Sequence, residues 1–150
     1  MTERPIHPRR RRILTGLCWV LATAFMMGAI TKYMPGETFF GPPYSEKFAE
    51  WGYPSWFRFV VGSGEAVGAV LLLLPRRRIL GVGVLSVILV GAITTHIVNQ
   101  SVTSEATAAP VNLVLVSLVA WEFRPTDWRE PLRLRRTAHA MCTPREQAAR

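Results

Sequence analysis

Four apolar stretches, each free of charge or nearly so, limit what this chain can fold into. They cover residues 13–31, 56–74, 79–98 and 106–123. A bilayer core about 30 Å thick needs roughly 17–25 mostly apolar residues in a spanning helix, and each stretch is long enough. The first carries no charge, the second only Arg58 and Glu65, the third only His96 as an ionisable group, and the fourth only Glu122 near its end. The expected fold is all-α: a polytopic membrane protein with a four-transmembrane-helix bundle between basic tails at 1–12 and 124–150. A cleaved leader is the competing reading of the first stretch, because Arg9–Arg12 precede it and Ala22-Thr23-Ala24 has the spacing of a cleavage site. The apolar run continues through Phe25–Ile30, so an uncleaved span is expected.

Net charge is +8, with 18 Lys and Arg. Fifteen of these lie in the two tails and in the Arg76-Arg77-Arg78 gap, and two, Lys32 and Lys47, lie on the opposite side. The positive-inside rule then puts both termini in the cytoplasm of a multi-pass inner-membrane protein. Nucleic acid is not the expected partner of the basic residues, because no groove-reading or aromatic motif accompanies them. The lipid bilayer is, and the C-terminal tail is suited to anionic headgroups. Two cysteines, Cys18 and Cys142, make neither a disulfide framework nor a metal motif. No nucleophile–base pair or metal cluster is spaced for chemistry, so no catalytic or metal-binding residue is assigned and no intrinsic cofactor is expected.

Charges within spans are rare and costly, which singles out Glu65. At 1.5 Å per residue it lies roughly 15 Å from the cytoplasmic end of its span. At 100° per residue, Arg58, Gly62, Gly68, Ala69 and Leu72 share its face. Gly62, Gly68 and Ala69 make that a helix-packing face, with Gly64 at its edge, so Glu65 should point into the bundle. By the same arithmetic Thr23 and Asn112 come to roughly the same level in other spans. These three, with Gly91 leaving space, suggest a buried polar layer in which Asn112 holds a neutral Glu65. Lys32, Arg58 and His96 fall near the external surface, where they either snorkel to headgroups or line a pocket leading to Glu65. Glu122 is expected to snorkel to the cytoplasmic surface.

The external segment 32–55 is rich in aromatic residues and proline. Ser45 is placed to cap a short helix ending at Trp51, with Gly52 and Pro54 beyond. The expected arrangement is an aromatic belt on the lipid surface, with a lid over an external cavity as the competing one.

The run from Trp51 to Arg78 carries Trp51-Gly52-Tyr53-Pro54, the Gly62/Glu65/Gly68-Ala69 core and a Leu-rich stretch ending in Pro75 and three arginines. Gly91-Ala92 precede Thr95-His96 further on. With Lys32 and Pro35 upstream, this combination resembles the DoxX-like family of small four-span membrane proteins, over roughly residues 13–123. The resemblance implies a four-helix transmembrane bundle and, in some members, association with membrane redox systems. The function it points to is a non-catalytic subunit or anchor beside a membrane or cytoplasmic redox protein. A binder of quinone or another lipophilic molecule is one alternative, and a small proton-coupled transporter using Glu65 is another. Homo-oligomerisation is left open.

Overall fold

The computed structural model describes residues 8–38, 41–100 and 104–123, in which every regular element is helical. The basic C-terminal tail, 124–150, and residues 1–7 lie outside the described residues, Cys142 among them. Five helices follow in order: α1 (Pro8–Tyr33), α2 (Tyr44–Glu50), α3 (Phe57–Leu73), α4 (Arg78–Val98) and α5 (Ser104–Phe123). Three are long and apolar enough to cross a membrane: residues 9–33, 78–98 and 106–123. The fourth long helix, α3, has 17 residues. It is shorter than the apolar block because Trp56 and Leu74 form its caps.

The helix ends follow local chemistry. Leu74 is extended at φ −82° and ψ 109°, as expected of a residue ahead of proline, here Pro75. The chain reverses over Pro75-Arg76-Arg77, and the Arg78 side chain turns back so that its Nε donates to the Leu72 carbonyl at 3.2 Å. That satisfies a carbonyl at the end of α3 with a cation, the sign the helix dipole favours there. The Arg78 guanidinium also lies over the Phe123 ring, 4.8 Å from its centroid. α5 runs through Pro110.

α1 begins at Pro8, ahead of the apolar block, so Arg9–Arg12 are part of its first turns. α2 starts two residues earlier than a Ser45 cap would set it. Its N-cap is Pro43, whose carbonyl accepts from Glu46 and Lys47, and no side chain caps it. Gly52 ends it at φ +78°. The Gly52 amide donates to Ala49 and the Tyr53 amide to Phe48, a Schellman arrangement with its usual apolar contact, here between the Phe48 and Tyr53 rings.

α1 packs along α3, α3 along α4, and α4 along α5; α5 returns to α1 over a short stretch only. We call the end where α1 finishes and α3 begins the upper end. The apolar core lies mostly towards the lower end. It is built from Cys18, Leu21, Ala22 and Phe25 of α1, Ala69 and Leu72 of α3, Val82, Leu85 and Leu89 of α4, and Ala109, Val116 and Val119 of α5. Cys18 is a free thiol wholly buried there. α3 and α4 approach closely at Gly81. A Cβ on Gly81 would stand 2.7 Å from the Leu72 amide nitrogen and 2.8 Å from the Gly68 carbonyl oxygen. Only hydrogen fits at Gly81, so the backbones can touch.

Candidate functional site

The polar interior is concentrated above this core, in the upper half. α3 buries Gly62, Glu65, Gly68, Ala69 and Leu72, a single face at helical spacing. Gly62 lies against α1, where a Cβ would come 3.3 Å from the Ala29 carbonyl oxygen. Gly64 and Gly68 lie against Ile88 and Leu85 of α4. Glu65 sits between these two crossings and is enclosed by them.

Its partner is Lys32. The Nζ of Lys32 is 2.8 Å from Glu65 Oε2, and the two side chains are only 10% and 11% exposed. The geometry follows from helix direction. Side chains lean towards the N-terminus of their own helix. Lys32 closes an ascending helix and leans down, whereas Glu65 sits in a descending helix and leans up. The two heads therefore meet although Lys32 leaves its helix level with Gly62, where a Cβ would lie 3.3 Å from Lys32 Cβ, about one turn above Glu65. Gly28, one turn below Lys32, makes the path: its carbonyl accepts from Lys32 Nζ at 3.3 Å, and a Cβ on it would lie 3.6 Å from Glu65 Oε2.

A roof covers the pair. α2 folds over the upper ends of α1 and α3, burying Tyr44, Lys47 and Phe48. The Tyr44 ring stands between two ammonium groups, Lys32 and Lys47, each 4.8 Å from its centroid; such contacts favour a cation on an aromatic face. Phe48 packs against Trp51, Tyr53 and Phe57. Trp51 meets His96 of α4 edge-on at 5.2 Å, and the Tyr53 hydroxyl is 3.1 Å from that of Thr95. The aromatic segment is thus tucked over the helix ends as a lid rather than spread as a belt.

The other residues singled out by sequence are placed differently. Thr23 faces outward and its hydroxyl donates to the Trp19 carbonyl of its own helix. Asn112 lies on α5, which packs on α4 and α1, and it makes no hydrogen bond to Glu65. The inferred Glu65–Asn112–Thr23 layer is therefore replaced by a Glu65–Lys32 pair. Gly91 is exposed, with nothing near the position of a Cβ, and is not a packing residue. Lys32 turns inward instead of reaching headgroups. Arg58 is directed away from Glu65: it donates to the Met34 carbonyl at 2.9 Å and lies over the Phe59 ring. His96 is buried beneath Trp51. Glu122 does not snorkel alone but pairs with Arg10 of α1. Among the described residues, no three His, Cys, Asp or Glu side chains converge as a metal site.

Sequence reasoning missed Gly28, Tyr44 and Gly81. Gly28 lies at i−4 from Lys32, the spacing at which a lysine ammonium reaches a carbonyl of its own helix, and that signal was available.

A model of the DoxX-like family matches residues 16–120. The chain belongs to the DoxX-like family. The match contains α2, α3 and α4 whole and most of α1 and α5, so every residue of the Lys32–Glu65 site lies in the DoxX-like region. No curated protein and no solved structure matches the chain.

Proposed function

We propose that this DoxX-like protein spans the inner membrane four times with both ends in the cytoplasm, and that it is a non-catalytic membrane subunit of a redox or oxidative-stress assembly. The observation that carries this reading is the enclosed Lys32–Glu65 pair. It supports α3 as the fourth span: 17 residues rise about 26 Å, close to the hydrocarbon thickness, and the carboxylate within them is compensated at 2.8 Å. Arg58 meets a carbonyl at the upper end, where it has access to the interface. Fifteen Lys and Arg on one side against two on the other support the orientation.

The same pair supports a structural and recognising role over a reactive one. Its charges hold α1 to α3 and sit beneath the α2 lid, so they preorganise the external end. The rim of that end carries exposed Tyr33, Met34, Tyr53 and Trp56, residue types favoured at membrane boundaries and at protein interfaces. The redox setting is what the family resemblance implies.

Two experiments test the two halves of this reading. Reporter fusions after Ser104 and after Arg136 are expected to report the external and the cytoplasmic side respectively; an external signal from the second contradicts the topology. Purification in mild detergent, with cofactor spectra and lipid mass spectrometry of the eluate, is expected to yield a stoichiometric oxidoreductase carrying its own flavin or haem. A chain that elutes alone with one quinone bound is a ligand-binding protein instead. A chain that elutes alone and empty contradicts both.

A further inference from the structure

We infer that the seam between α1 and α5 is a binding site for one anionic phospholipid. Each pair of consecutive long helices packs along its length, but the last, α5, meets the first, α1, only briefly. The gap is a groove of about 530 Å³ at the lower end, within the roughly 300–1,000 Å³ of small-ligand sites. Its wall is apolar, formed by Leu14 and Leu17 on one side and Leu118 and Trp121 on the other. Its mouth is charged, formed by Arg9, Arg10 and Glu122. That is the division of a lipid: an acyl chain along the wall and a headgroup at the mouth.

The charge arithmetic selects an anionic headgroup. Glu122 is taken up by Arg10, and its bridge spans the seam. Arg9 has no ion-pair partner among the described residues, so the mouth holds a surplus cation. Four arginines in succession also crowd the first turns of α1, the end of a helix where the backbone dipole favours negative charge. A phosphate there answers both. A zwitterionic lipid brings its own ammonium to the same place and loses the advantage; a glycerol headgroup does not. The site rests on the membrane placement proposed above, which puts this end at the cytoplasmic headgroups.

The test is lipid retention by the full chain. The protein is reconstituted in phosphatidylcholine vesicles containing a minor share of phosphatidylglycerol, extracted in mild detergent and weighed by native mass spectrometry. One phosphatidylglycerol per chain is expected. The double substitution Arg9→Gln/Arg10→Gln should lower its occupancy at least about fivefold, the effect of one basic residue near a headgroup. Arg11→Gln/Arg12→Gln, outside the groove, should leave it unchanged. Leu17→Trp fills the groove with every arginine in place and should also abolish retention, which keeps the test decisive if the arginine variant does not fold. Equal retention of both lipids by the parent overturns the site, as does full retention by Leu17→Trp. An equal loss from Arg11→Gln/Arg12→Gln shows diffuse charge attraction and overturns it too. The reporter fusions read membrane placement separately, so failure of one reading is not failure of the other.

Discussion

Lys32→Met is expected to remove about 3–5 kcal/mol of stability, the usual cost of breaking a buried ion pair from one side. Folded domains hold only about 5–15 kcal/mol in total, so this single change should bring the protein close to unfolding. The reason is not the attraction lost but the charge left behind. Glu65 is enclosed by the α1 and α4 crossings, and Lys32→Met takes away the ammonium that lies 2.8 Å from its buried carboxylate. Glu65→Leu should cost less, because Lys32 keeps the Gly28 carbonyl and the Tyr44 ring. Lys32→Met/Glu65→Leu removes both charges together and should recover most of the loss, since apolar replacements of buried pairs are often nearly neutral. Unfolding of the four proteins in one mild detergent measures this. A double variant whose loss equals the sum of the single losses shows that the two residues do not interact.

Gly81→Ala should be the most damaging of the Gly→Ala changes in this protein. Its Cβ would overlap the Leu72 amide nitrogen at 2.7 Å and the Gly68 carbonyl oxygen at 2.8 Å. Both are backbone atoms inside a helix, so relief requires α3 and α4 to move apart. Overpacking usually costs about 1–3 kcal/mol, and this site belongs at or above the top of that range. Gly68→Ala meets Leu85 Cδ2 at 2.6 Å, a side-chain atom that can rotate away at a smaller cost. Gly91→Ala meets nothing and should gain up to about 1 kcal/mol from helix propensity. Thermal unfolding should therefore rank Gly91→Ala first, Gly68→Ala next and Gly81→Ala last. A Gly81→Ala protein as stable as the parent would mean that α3 and α4 do not cross there.

These two sites also mark how far the sequence could be read. The face of α3 was legible, because Gly62, Glu65, Gly68 and Ala69 recur at helical spacing and a charge among small residues has to point inward. The faces of α1 and α5 were not. In both helices the apolar residues are spread around the circumference with no dominant side, so nothing marks which side meets the bundle. Thr23 and Asn112 were placed by height alone, and their directions were undetermined. Height arithmetic also treats a side chain as ending at its own Cα. Lys32 and Glu65 lean towards one another from antiparallel helices, and that difference separated them on paper while joining them in the fold. Gly52 was readable as the stop of α2 because a left-handed residue there is a local requirement. The lid formed by α2 was not, because it depends on Phe48, Trp51 and Tyr53 finding Phe57, His96 and Thr95 from other segments.

The most direct measurement is the dipolar coupling between lysine Nζ and glutamate Cδ, recorded by solid-state NMR on the labelled protein in lipid bilayers. The chain has only two lysines, Lys32 and Lys47, so the ammonium region is simple to assign. With Nζ and Oε2 at 2.8 Å, strong transfer is expected from the Lys32 nitrogen to one carboxylate carbon, and that signal should vanish in Glu65→Leu. A Lys32 nitrogen with no glutamate carboxylate nearby, or transfer to a carboxylate carbon that persists in Glu65→Leu, would contradict the buried pair on which the site and the fourth span both rest.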